Sequence, residues 1–429
     1  MKIKRYDLMM GVAFTICLGY LFNHSIIDNL FHANAAIVIS FIFASLLMLF
    51  ANIKYIKTSK SLGARLLILF LLSAIVLLRN KDLFNERLMP PFFSVFALYM
   101  IFILSFTDKW CETARKVLLF FTFENVLATL FCFAFRDFYA ANIMPIFQNT
   151  QIELTRQFNK IQIAGFAQHY STNALYLVSG IFTLLLSINK NKNKNVYKVL
   201  LVLNIIALLL TGKRAQVVFL IIATLAIMII KYRQRIHEAI KKAIAWTVVA
   251  IATIVVLTSF IPTISNSFIR AYESIGNEDS MYTRNILYDV AESEFFSHSI
   301  FGIGWGGYKY TYYATVPSIL KERDYMQAHC IYLQLLCETG LVGTIIICSA
   351  FIYVIYLALK IFLRNEKSKP QKAQKALIIL MFTIYFLLEG AIGNSIYDMQ
   401  IYIPFALFVA MLFSMKNNDA SLLAEANRE

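Results

Sequence analysis

The sequence predicts an all-α polytopic membrane protein with about 12 transmembrane helices and one large extracytoplasmic loop. Three observations carry this reading. Hydrophobic residues make up 59% of the 429 while charged residues make up 15%. The apolar residues arrive in long blocks, and Lys and Arg collect in alternate connecting segments. A soluble core has no use for so much apolar length, whereas each crossing of a bilayer takes about 20 apolar residues.

In order, the expected spans are 8–22, 35–53, 66–78, 91–106, 117–135, 170–188, 199–211, 215–230, 243–262, 341–361, 377–390 and 400–415. The first has a basic start, as a signal peptide does, but no small-residue cleavage site follows it and eleven further spans do. It therefore reads as a retained first helix. The third, seventh and eleventh are short, so either flanking residues extend them or one is re-entrant.

Orientation follows from the basic residues, which accumulate in cytoplasmic loops. With Lys2, Lys4 and Arg5 inside, the alternation places Lys54 to Arg65, Lys109 to Lys116, "NKNKNKNVYK", "KYRQRIHEAIKK", "KIFLRNEKSKPQKAQK" and the C-terminal tail on the cytoplasmic side. Both termini are then cytoplasmic. The chain divides into helices 1–6 (1–198), helices 7–9 (199–262), the extracytoplasmic loop domain (263–340), and helices 10–12 with a cytoplasmic tail (341–429). The net charge of +15 is mostly this topology signal, and no nucleic-acid partner is expected.

The six cysteines form neither a disulfide framework nor a Cys/His metal spacing. Cys330 and Cys337, seven apart, would lie about 10 Å apart along a helix, too far to bridge.

The polar chemistry gathers on the outer face, in loop 136–169, the turn "TGKRAQ" at 211–216 and the loop 263–340. Within the last, "SMYTRNILYDVAESEFFSHS" carries Tyr282, Ile286, Val290 and Phe295 at helical spacing, which predicts an amphipathic helix. "FGIGWGGYKY" then breaks it. No strand precedes those glycines, so they read as a turn rather than a dinucleotide loop. "TGKRA" is not a phosphate-binding P-loop either, because Arg214 stands where Ser or Thr is needed.

Lys213 and Arg214 interrupt what would otherwise be an unbroken apolar hairpin. A guanidinium at mid-membrane costs about 2.5 kcal/mol or more, so this pair is either snorkelling to the interface or binding an anion. Arg284 either pairs with Asp289 or Glu292 or serves the same purpose, and Arg156, before the sixth span, is a weaker candidate. An arginine fork donates two parallel hydrogen bonds and stays charged when desolvated. Outward arginines beside a membrane therefore point to a lipid phosphate or diphosphate.

"RDYMQAHCIYLQLLCETGLVG" (323–343) sets His329 at the head of an apolar segment, just after the charged run Lys321 to Asp324. A neutral imidazole, with a pKa of about 6.5, can take the proton of an attacking sugar hydroxyl. The structural alternative is a capping or packing histidine. Glu338, nine residues on, would face the opposite side of the same helix, so a partner for the imidazole must come from elsewhere. His169 also falls at an outer helix start, which Ser171 and Thr172 can cap. His24, His32 and His298 are lone loop residues with no assigned role, and His237 is cytoplasmic. Glu124 and Glu389, carboxylates within spans, are what a transporter would use.

These residues together resemble the O-antigen ligase and Wzy-type polysaccharide polymerase family. The resemblance lies in "TGKR" (211–214), an outer-loop arginine followed by "FGIGWGG" (301–307), and Ala328, His329, Leu333, Glu338, Gly340 and Gly343. "GFAQHYSTNALYLVSG" extends it upstream. Where the family usually has Asn after the histidine, this chain has Cys330, which removes a side-chain hydrogen bond.

The resemblance implies a membrane glycosyltransferase with a GT-C-like fold, needing no metal or other cofactor and using an undecaprenyl-diphosphate-linked oligosaccharide as donor. It assigns the donor diphosphate to Arg214 and Arg284 and a base or acceptor-positioning role to His329. Lys213, Arg156, His169 and Glu338 are auxiliary candidates. Diphosphate expulsion from an anomeric carbon builds negative charge, which preorganised arginines stabilise. No D-x-D sequence is present, Glu322 and Asp324 being the nearest approach.

The leading expectation is polymerisation of repeat units into a cell-surface polysaccharide (capsule, exopolysaccharide or O-antigen) on the outer face of the bacterial cytoplasmic membrane. Flippase and chain-length regulator proteins would be its partners. A ligase moving finished glycan onto lipid A core or another envelope acceptor shares the same motifs. A lipid-linked glycan flippase is the reading from another class; it predicts an inverted repeat and midplane charges, whereas no repeat stands out and the polar residues concentrate at one face.

Overall fold

The computed structural model describes residues 5–31, 34–57, 65, 67–69, 71, 89–147, 151–160, 162–188, 194–235, 237–238, 240–242, 244–245, 248, 252, 255, 259, 265, 278–315 and 327–426. The spans expected at 66–78 and 243–262 fall largely outside these residues, as do His32, Glu322 and Asp324.

Among the described residues the chain is all-helical, with no strand. The helices of eight residues or more are α1 (Arg5–Phe31), α2 (Asn34–Lys57), α3 (Met89–Leu104), α4 (Cys111–Ala134), α5 (Gln151–Asn159), α6 (Tyr170–Ile188), α7 (Lys194–Leu210), α8 (Arg214–Lys231), α9 (Glu278–Ser297), α10 (Tyr308–Thr315), α11 (Ile331–Asn365), α12 (Pro370–Gly390) and α13 (Met399–Ala426). Eight of them, α1, α2, α4, α6, α8, α11, α12 and α13, are long and apolar enough to cross a membrane. Helices α3 and α7, at 16 and 17 residues, match the expected fourth and seventh spans and are shorter than those eight. The two short expected spans that are described grow at their N-terminal ends. The seventh starts at Lys194, and the eleventh at Pro370, a residue suited to a first helical turn because its missing N–H costs nothing there.

The chain forms two compact units. The first comprises Met1–Ala51, Lys109–Ile275 and Glu366–Tyr385. Helix α6 is its centre, packed against α4 and α7, and α1 packs on α4. Without a hydrophobic drive between helices in lipid, close approach and local polar satisfaction hold such contacts. Both are visible: a Cβ on Gly180 would sit 2.7 Å from Asn204 Nδ2 and Thr122 Cγ2, so only glycine lets α6 lie this close to α4 and α7. Thr122, Ser179, Thr183 and Ser187 each donate to a carbonyl one turn back. The buried Arg115 pairs with Glu112 and donates to Ser187 Oγ at 3.0 Å.

The second unit comprises Asn52–Asp108, Gly276–Asn365 and Phe386–Glu429. Here α3 packs along α13, α9 packs on α11, and Phe386 stacks on Phe405 with ring centroids 4.2 Å apart. A small core of its own, Leu287, Ala291, Tyr308, Tyr312, Ala328 and Cys337, joins α9, α10 and the head of α11. The amphipathic helix expected in this region is present as α9. Ile286 and Val290 of the expected face pack partly buried against this core, and the fully buried residues on α9 are their neighbours Leu287 and Ala291.

Candidate active site

The head of α11 organises the candidate site, and all of the geometry below lies within the second unit. The span expected at 341–361 begins ten residues earlier, at Ile331, and is interrupted at Gly340, whose φ of 63° and ψ of −169° are not helical. Only glycine adopts that region readily. The break frees backbone groups that an unbroken helix would pair internally, and the glycine-rich loop takes them. Ile303 N donates to Cys337 O (3.0 Å) and Gly304 N to Glu338 O (2.8 Å), while Leu341 N donates to Ser299 O (2.8 Å) and Val342 N to Ile300 O (3.2 Å). The fit is reciprocal: a Cβ on Gly302 would overlap the Glu338 backbone, and one on Gly340 would overlap the Ile300 carbonyl. The "FGIGWGG" and "ETG" motifs are thus two halves of one clasp.

The Glu338 side chain completes it. This residue is 1% exposed, and its carboxylate accepts from Gly306 N (2.8 Å), Tyr308 N (3.2 Å), Gln334 Nε2 (3.1 Å) and the Tyr397 hydroxyl (2.5 Å). All four partners are donors, the arrangement an ionised carboxylate requires. Burial, reinforced by the Glu338 charge, pushes the Tyr397 hydroxyl well above the usual tyrosine range, so it remains a proton donor. Burial likewise raises Tyr308, whose hydroxyl donates to Leu287 O at 2.9 Å.

His329 lies just before α11 with φ 53°, the one positive φ of a non-glycine residue among those described. Holding a side chain there costs about 1–3 kcal/mol and recurs at functional sites. Its Nδ1 is 3.2 Å from Asn394 Nδ2, which comes from the turn between α12 and α13. The partner does come from elsewhere in the chain, as the helical projection required, and Glu338 instead faces the glycine loop. Sequence reasoning passed over Asn394, Gln334 and Tyr397. The available signal was the polar run "GNSIYD" (393–398) between two apolar helices.

Arg284 is exposed on α9, and among the described residues no ion pair joins it to Asp289 or Glu292, so the structural alternative for this arginine does not form. One turn on, the Tyr288 hydroxyl is raised chiefly by burial, then by Cys330, and lowered by Arg284. Trp305 packs beside Tyr397, ring centroids 6.5 Å apart. Among the described residues, the buried atoms Trp305 Nε1, Asn394 Oδ1 and Ser395 Oγ have no hydrogen-bond partner. Buried polar atoms of this kind suit a ligand rich in hydroxyl groups. An apolar cavity of about 260 Å³ along α11 begins at Ile331 and Ser395, neighbours of this pair, and extends to Phe351, Ile352 and Phe386.

The other sequence candidates belong to the first unit. Arg214 is the first residue of α8, following a turn in which Lys213 N donates to Thr211 Oγ1 at 3.2 Å. The Lys213 ammonium lies 5.8 Å from the centre of the Tyr170 ring. His169 caps α6 directly: its Nδ1 accepts from Ser171 N at 3.1 Å, in place of the expected Ser171 or Thr172 cap. Arg156 is exposed near the end of α5. Glu124 accepts from Asn23 Nδ2 at 3.5 Å. Glu389, 4% exposed, sits in the last turn of α12 in the second unit. Among the described residues no group of His, Cys, Asp or Glu could hold a metal ion.

No curated protein matches the chain. A family described as O-Antigen ligase matches residues 199–348, a stretch running from α7 through Arg214, Arg284 and the glycine loop to His329, Glu338 and the first half of α11. With its membrane-length helices, this is a membrane protein whose residues 199–348 are similar to the O-antigen ligase family.

Proposed function

We propose that this protein transfers an oligosaccharide from an undecaprenyl-diphosphate donor, and that its principal reaction is the joining of repeat units into a cell-surface polysaccharide at the outer face of the cytoplasmic membrane. The observation that carries this reading is His329, held at a positive φ against Asn394 inside the matched domain. His329 takes the proton of the acceptor hydroxyl at Nε2 as that oxygen attacks the anomeric carbon, in the tautomer whose Nδ1–H donates to Asn394 with the amide turned to present its otherwise unpartnered Oδ1; the bond to the diphosphate breaks, and the leaving group departs with the electron pair. Arg284 and Arg214 are each assigned to the donor diphosphate, whose growing charge their planar forks stabilise. The apolar cavity beginning at Ile331 suits the start of a prenyl chain. A second reading, transfer of the finished glycan to a separate envelope acceptor, is favoured by the description of the matched family. The chemistry is common to both, and the acceptor separates them.

Two predictions test the roles. Arg214→Lys keeps the charge but loses the bidentate fork, so glycan elongation in cells should fall about a hundredfold, the loss of about 2.7 kcal/mol at one strong charge-stabilising contact. Unchanged polymer length in a normally expressed Arg214→Lys strain would contradict the diphosphate role. At Asn394 the sign of the effect is informative. A carboxylate there stabilises the imidazolium, so more of His329 is protonated at a given pH. Asn394→Asp should move the acidic limb of the transfer rate profile to higher pH, because the base works unprotonated, and an unmoved limb would remove His329 as the titrating group.

A further inference from the structure

The site leaves one buried charge that the transfer chemistry does not use. Glu338 is enclosed by four donors and does not touch His329. From it, two hydrogen-bonded connections lead to the two sides of that histidine. On one side, Gln334 donates to Glu338 Oε1 at 3.1 Å and accepts through its own Oε1 from Ala328 N at 2.9 Å, the residue immediately before His329. The Gln334 amide has only one workable orientation, since one end meets a donor and the other an acceptor. On the other side, Tyr397 donates to Glu338 Oε2, and its backbone N–H closes a turn on Asn394 O at 2.7 Å. Asn394 is the residue whose side chain meets His329 Nδ1.

We propose that Glu338 is a positioning residue for His329, its carboxylate fixing through Gln334 the peptide that enters the histidine and through Tyr397 the turn that carries the histidine's partner. The inference rests on the part in transfer proposed for His329. A positive φ at a non-glycine residue persists only where the surroundings over-determine it. Here one carboxylate ties together the peptide before that residue, the turn opposite it and the glycine loop beside it. An ionised carboxylate is the group the position needs, because it offers acceptors on both oxygens. In Glu338→Gln one oxygen becomes an NH₂, which must face either Gly306 N–H and Tyr397 O–H or Tyr308 N–H and Gln334 Nε2–H. Either way donors oppose donors. Tyr397→Phe is the milder variant, cutting only one of the two connections and leaving the aromatic ring and the glycine clasp in place.

The test reads His329 directly. Full-length protein in detergent is treated with diethyl pyrocarbonate, which acylates unprotonated imidazole, and modification of the His329 and His298 peptides is followed by mass spectrometry across pH. His298, exposed and 3.5 Å from Glu294, is the internal control. In Tyr397→Phe, and more strongly in Glu338→Gln, the His329 modification rate should change at least threefold with its pH midpoint displaced, while His298 is unchanged. With a lipid-linked donor, kcat should fall about tenfold with KM within a factor of two. His329 reactivity equal to wild type in folded Tyr397→Phe overturns the proposal, whether or not glycan transfer is detected, and leaves Glu338 a purely structural clasp. Altered reactivity in a protein whose wild type transfers nothing upholds the positioning role while removing the transfer reading.

Discussion

His329→Ala should lower glycan transfer by about 10²–10⁴-fold, the usual contribution of a positioned general base, in a protein that still folds. The fold is expected to survive because alanine meets the same backbone penalty at φ 53° that histidine already bears, and the contact with Asn394 is a single hydrogen bond. That bond is worth about 1 kcal/mol net, small beside the stability of the surrounding helices. A second substitution separates the two roles open to this side chain. Asparagine tolerates the left-handed backbone region and keeps an amide facing Asn394, but it cannot take a proton. If His329 is the base, His329→Asn should be as inactive as His329→Ala. Activity within tenfold of wild type in His329→Asn would show that position 329 orients the acceptor and another group removes its proton. Steady-state transfer rates of the three proteins decide the matter.

Gly340→Ala should have the largest effect on stability. At φ 63° and ψ −169° the backbone occupies a region that is essentially confined to glycine, which alone costs about 1–3 kcal/mol for another residue. The added methyl would also overlap the Ile300 carbonyl. To relieve both, the chain must give up the pairing of Leu341 N and Val342 N with Ser299 and Ile300, and with it the seat of the glycine loop. The expected result is a clearly lowered thermal midpoint in detergent, with protease cleavage appearing within 299–307. Val342→Ala, nearby on a residue that is 42% exposed, should do neither. A Gly340→Ala protein with wild-type melting and protease resistance would contradict the clasp.

Much of this architecture was legible in the sequence for identifiable reasons. Ten of the expected spans reappear as helices because an apolar block of bilayer length has few other uses. His329 was visible because a lone histidine between a charged run and an apolar segment stands out. What the sequence could not show is what pairs across distance. Asn394 lies 65 residues from His329, and the polar run "GNSIYD" that contains it does not say which residue it meets. The glycine loop was readable as a turn, but its pairing with the broken α11 is a backbone contact, which leaves almost no side-chain pattern beyond the glycines themselves. The face of α9 was legible in part. Ile286 and Val290 of the expected stripe do pack against the core, yet the most deeply buried residues are their neighbours Leu287 and Ala291, because the position of α11 and α10 decides where the stripe is centred. The Ser171 or Thr172 cap expected on α6 lost to His169, which precedes the helix and whose ring nitrogen accepts from Ser171 N.

The most direct test of the central claim is the conversion of a purified undecaprenyl-diphosphate repeat unit by the purified wild-type protein in detergent or vesicles, without and with a separate glycan acceptor. Release of undecaprenyl diphosphate together with a ladder of lengthened lipid-linked glycans, formed from the donor alone and lost in His329→Ala, is the predicted result. Release only when the separate acceptor is present would make the protein a ligase. Failure to consume the donor under either condition, by protein that is folded and membrane-competent, would contradict the account.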